Sequence, residues 1–192
     1  MRVNGGVMRT PFERRKGFSV HGETTEVAGL IIHSDDPLFL SVVGAHVASG
    51  LVAVTAGLVA MFSPKRRGRH SRWGNVYFWA IVAVFASAAL LASLRGPEDV
   101  HLFLLGALAF AAAWVGRSAR RGRWRNSLRV HLAGMGVSYI LMLTAFYVET
   151  GDQLPLWKEL PPILYWILPA AVGLPFIVHA LFWHPLVRRL GR

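Results

Sequence analysis

The chain has 192 residues, 54% of them hydrophobic, no cysteine, and a formal net charge of +11 at pH 7. Without cysteine there are no disulfides, no thiolate catalysis, no Cys-ligated metals and no covalent c-type haem attachment. The positive charge would suit nucleic acid in a soluble protein, but here it stands in short blocks between long apolar runs. It therefore acts as a topology signal beside anionic lipid, and nucleic acid is not an expected partner.

Residues 1–37 form an N-terminal tail, expected to be partly disordered at its start. Arg2, Arg9, Arg14, Arg15 and Lys16 are not followed by an apolar stretch long enough for a cleavable signal. Residues 38–62 form the first segment able to cross the roughly 30 Å of hydrocarbon at about 1.5 Å per helical residue. Positions 41–63 carry no Asp, Glu, Lys or Arg, where a soluble amphipathic helix would place a charge every turn or so. His46, Gly50, Ala53, Gly57 and Ala60 share one face of this helix, the small-residue face on which membrane helices pack closely.

A basic loop follows, with Lys65, Arg66, Arg67, Arg69, His70 and Arg72, then a second span over 75–94. The next connection sets Arg95 against Glu98 and Asp99. The third span, 100–116, is the shortest and leads into a second basic loop with Arg117, Arg120, Arg121, Arg123 and Arg125. The fourth span, 128–148, carries Ser138, Tyr139 and Thr144. The loop after it holds Glu149, Asp152, Lys158 and Glu159. The fifth span, 162–187, contains Pro169, Gly173 and Pro175, which predict a kink, and 188–192 form a basic C-terminal tail.

The fold class is therefore all-α: an integral membrane bundle of five helices with the domain at 38–187. Positive charge near helix ends stays cytoplasmic, so both arginine-rich loops and the C-terminus are expected inside and the N-terminus outside, in a bacterial inner membrane. Trp73, Tyr77, Trp124 and Trp183 then fall near the inner surface, and Tyr147, Trp157, Tyr165 and Trp166 near the outer. Arg66-Arg67-Gly68-Arg69 and Arg120-Arg121-Gly122-Arg123 open two similar turns, each followed by Trp and Asn. Duplication of a helical hairpin, with a fifth helix added, and convergence under one topological pressure account for this equally well.

This topology sorts the histidines into layers. His46 and His101 fall in the outer half, and His131, His179 and His184 at the inner end, with His70 in the inner basic loop. A histidine inside a membrane must be paired, liganding something or beside water. For His46 the ordinary reading is a neutral imidazole bonded to a neighbouring hydroxyl or carbonyl. His131 and His179 match in depth, which makes them the better candidates to hold haem b, with His46 as a position for a second group. No charged residue lies in the middle of any span, so an intramembrane carboxylate relay is not available and ion pumps and charged-substrate carriers lose ground. There is no phosphate-binding glycine loop and no zinc-protease histidine pair, and no catalytic or metal-ligating set is assigned.

Two blocks resemble a known family. The first runs through His46, Gly50, Gly57, Lys65, Gly68, His70, Gly74 and Tyr77. The second holds His131, Met135, Ser138-Tyr139, Thr144, Phe146-Tyr147-Val148, Gly151, Leu154-Pro155, Trp157, Pro169 and Gly173-Leu174-Pro175. Together, over roughly 38–185, they resemble a family of small bacterial multi-pass membrane proteins known only as a domain of unknown function. The resemblance implies a helical membrane protein and no settled activity; the architecture is also distantly similar to that of b-type cytochromes with transmembrane His ligands. The leading expectation is an accessory or interaction component of a membrane complex, in contact with anionic headgroups and other membrane subunits and without established enzymatic activity. The alternatives are a haem b electron-transfer protein interacting with quinone, and a small-solute transporter.

Overall fold

The computed structural model describes residues 25–27, 30–32, 37–64, 68–95, 100–122, 124–155 and 157–183. Lys65, Arg66, Arg67, Glu98, Asp99, Arg123, His184 and the C-terminal arginines lie outside the described residues, as does most of the tail.

Five helices long and apolar enough to cross a membrane are present among the described residues. They are α1 (Pro37–Phe62), α2 (Arg69–Arg95), α3 (Val100–Arg121), α4 (Ser127–Thr150) and α5 (Ile163–Trp183). A 3-10 turn, Gly151–Gln153, continues α4. In the tail, β1 (Thr25–Val27) and β2 (Leu30–Ile32) pair antiparallel, with Thr25 opposite Ile32, a small hairpin that hydropathy does not signal. The chain is thus a helical membrane protein, as its uncharged runs require.

The helices outrun their apolar stretches at the basic end. Helix α2 begins at Arg69 and α3 runs on to Arg121, because an α-helix satisfies its own backbone and continues into the interface once its side chains leave the hydrocarbon. At 22 residues, α3 is long enough to span without thinning the bilayer. Arg120 and Arg121 in its last turn also meet the negative end of its dipole. Gly68, at φ +126°, turns the chain into α2, a conformation that side-chain-bearing residues avoid. Helix α5 runs unbroken through Pro169 and Pro175.

Neighbouring helices in sequence are neighbours in space: α1 with α2, α2 with α3, α3 with α4, and α4 with α5. The core lies where the first four converge, around Ala53, Ala56, Tyr77, Phe78, Ile81, Ala113, Tyr139 and Met142. Small residues allow this approach. Ala53, Ala56 and Ala60 of α1 are buried, and Gly57 lies against the rings of Tyr139 and Tyr77. Gly50, on the expected packing face, meets open space instead. Helices α3 and α4 approach backbone to backbone: a methyl group on Gly134 would stand 2.7 Å from the Ala112 carbonyl oxygen and 2.8 Å from the Gly116 Cα. Helix α5 packs on α4 by Gly136 receiving Ile177 and Gly173 receiving Ile140.

Aromatic residues mark the far end, where Tyr147 and Trp157 lie 4.4 Å apart between centroids and Tyr165 donates to the Trp157 carbonyl at 3.0 Å. Tyr77, expected as an interface anchor, is instead 2% exposed and belongs to the core.

Candidate functional site

The polar groups inside this bundle are few and each has a defined partner. His46 is half-buried, with Nδ1 2.8 Å from the Ser87 hydroxyl on α2. Ser87 itself donates to the Ala83 or Val84 carbonyl, so its oxygen is the acceptor and the imidazole Nδ1–H the donor. This is the hydroxyl-bonded arrangement expected of a lone membrane histidine.

At the basic end, His70 sits in the first turn of α2 rather than in the loop, and the reason lies in α1. Ala60 is in the last turn of α1, and the residue that would donate to its carbonyl is Pro64, which has no N–H. His70 Nδ1 approaches that carbonyl at 2.8 Å and, since a carbonyl only accepts, must carry the hydrogen. His131, near the start of α4, does the same to α3: its Nδ1 donates to the Gly116 carbonyl at 3.0 Å.

The two rings then meet in a T-shaped contact, with centroids 6.2 Å apart and planes 84° to each other. With hydrogen on both Nδ1 atoms, the neutral form of each ring has its lone pair on Nε2, the tautomer that a backbone carbonyl imposes on many metal-bound histidines. Gly74, one turn along α2 from His70, has nothing within 4 Å of a Cβ built on it.

Two turns deeper, the same faces meet again. Tyr77 and Ser138 share a hydrogen bond of 2.8 Å, Ser138 being fully buried, and Tyr139 donates to the Val54 carbonyl of α1 at 3.2 Å. Since 70 to 77 and 131 to 138 are each seven residues, or about 10 Å of helix, α2 and α4 present matching polar levels to one another.

The sequence-derived candidates are thus distributed over the whole bundle. His131 is half-buried and its ring partner is His70, while His179 is exposed on α5 and His46 belongs to a separate contact with α2. His101 is exposed on α3, with its ring 6.2 Å from that of Trp166. Of the basic positions, Arg69, Arg72, Arg120, Arg121 and Arg125 are exposed at the same end as the imidazole pair. Sequence reasoning placed His70 in the basic loop and so did not pair it with His131. The usable signal was its sevenfold spacing to Tyr77, repeated between His131 and Ser138.

The chain belongs to the family described as Predicted membrane protein (DUF2306), which matches residues 43–184. No curated protein and no solved structure matches the chain.

Proposed function

We propose that this DUF2306 protein is an electron-carrying component of a complex in the bacterial cytoplasmic membrane, holding a b-type haem between His70 and His131 at the end that faces the cytoplasm. One observation carries the reading: the two motif blocks, far apart in sequence, meet through paired imidazoles whose Nδ1 atoms are each tied to a backbone carbonyl. The separation suits the chemistry. Two metal–nitrogen bonds of about 2 Å, plus the distance from each nitrogen to its ring centre, add up to roughly 6 Å, against 6.2 Å between the centroids here. Among the described residues no third His or carboxylate joins the pair in a metal-binding cluster. A bare zinc ion asks three or four ligands of the protein, whereas haem iron takes its equatorial nitrogens from the porphyrin and needs only axial ones. The tendency of basic loops to stay cytoplasmic supports an orientation with this end inside and the N-terminus outside.

The test is an absorbance scan of the detergent-purified protein expressed with haem available. A Soret band is expected that His70→Ala and His131→Ala abolish and His179→Ala retains. A folded, colourless wild-type protein ends this reading, and a band that depends on His179 instead restores the pair read from depth alone.

A second reading rests on the same hydrogen bonds. His70 supplies the donor that Pro64 withholds from Ala60, so the imidazoles would serve as fasteners of helix ends in an accessory subunit without a cofactor. Loss of stability in His70→Ala without any colour in the wild type supports it.

A further inference from the structure

On the opposite side of α2 from Tyr77, that helix and α3 enclose a cleft of about 370 Å³ lined by Asn75, Phe78, Trp79, Trp114, Arg117, Ser118 and Arg121. The α3 residues follow helical spacing, so Trp114, Arg117, Ser118 and Arg121 form one stripe about 10 Å long. Polarity is graded along it. Arg121, Ser118, Arg117 and Asn75 lie toward the basic end, and the aromatic residues lie deeper, with Trp79 and Trp114 more than half exposed on the outer surface.

The guanidinium of Arg117 is already positioned. It donates to the Asn75 side-chain carbonyl at 2.5 Å and stands 4.3 Å above the centre of the Phe78 ring. Neither partner neutralises it. The chain has no carboxylate anywhere in 37–97 or 100–148, so helices α1 to α3 and almost all of α4 offer this cleft no internal counterion. Two arginines beside one another at the membrane surface, a hydroxyl and an amide within reach, and exposed indoles below them match one class of molecule: an anion with a hydrocarbon tail.

We infer that this cleft binds the head group of an anionic phospholipid, its phosphate on Arg117 and Arg121 and its acyl chains running along Trp79 and Trp114. The site is separate from the imidazole pair and does not depend on what that pair holds.

The experiment uses the full chain, delipidated in mild detergent and supplied with mixed micelles of phosphatidylglycerol or phosphatidylcholine, and counts retained lipid by native mass spectrometry. Phosphatidylglycerol should be retained with about tenfold preference or more. The exposed Arg121→Gln substitution should lower that preference about fivefold. Arg117→Lys, which keeps the charge but loses the planar fork, should lower it as well. Arg125→Gln with Arg129→Gln, outside the cleft at the same end, should change it by less than about twofold. Equal retention of the two lipids overturns the inference, as does an equal loss in the Arg125/Arg129 control, which would assign the effect to diffuse surface charge. Displacement of the lipid by millimolar inorganic phosphate would overturn it too, in favour of a site for a free anion.

Discussion

His70 and His131 stand ring to ring, centroids 6.2 Å apart, although all of α3 lies between them in the chain. Each ring also fastens a different helix, His70 the end of α1 and His131 the last turns of α3. In haem-free protein, His70→Ala and His131→Ala should each cost about 1 kcal/mol of unfolding free energy, the usual net value of one hydrogen bond. A double-mutant cycle should find a coupling of about 0.5–1 kcal/mol from the ring contact. Strict additivity would mean that the rings are adjacent without interacting.

The buried hydroxyl pair makes a sharper test. Tyr77→Phe or Ser138→Ala leaves the partner hydroxyl without its bond in the core, at a cost of about 1–2 kcal/mol. The double variant leaves neither stranded and should lie closer to wild type than the sum of the two. Denaturation in a detergent series reads this directly; simple addition of the two losses would count against the shared bond.

Glycine positions on different helices should respond in opposite ways. Gly134→Ala drives a methyl into the Ala112 carbonyl and the Gly116 backbone and should destabilise by about 2 kcal/mol or more. Gly44→Ala meets nothing within 4 Å and gains helix propensity of up to about 1 kcal/mol, so it should be neutral or stabilising. Thermal unfolding of both variants checks the contrast. A tolerated Gly134→Ala would mean that α3 and α4 do not pack backbone to backbone.

Topology can be measured without background, since the chain has no cysteine. Arg125→Cys should react with a membrane-impermeant thiol reagent only after the cells are opened, and Asp152→Cys should react in intact spheroplasts. The reverse pattern would invert the proposed orientation and put the imidazole pair on the other side of the membrane.

Most of the architecture was legible because hydrocarbon tolerates so little: a run such as 41–63 without charge has few alternatives to a membrane helix. Helix ends were less legible. Hydropathy reports where hydrocarbon stops, while backbone hydrogen bonding carries α2 back to Arg69 and α3 on to Arg121. On α1, spacing alone found the face from Ala53 to Ala60 but could not tell that Gly50 lies beyond the contact. The Gly116–Gly134 approach was not read because α3 and α4 each carry more than one glycine, and no local rule selects which of them meet. Depth matching paired His131 with His179, whereas lateral position puts His131 beside His70. Depth is a single coordinate, and the other two come only from packing.

The order of contacts along the bundle has a biosynthetic consequence. Each helix leaving the ribosome finds the one made just before it as its main partner, so hairpins can pair in the lipid during translation without waiting for distant segments. Helix α4 departs from this order: His131 and Ser138 join it to α2, and Tyr139 reaches further back still, its hydroxyl to Val54 in the first helix and its ring into the space above Gly57. That side chain acts as a late clasp, closing a row of nascent hairpins into a bundle only once α4 has been inserted.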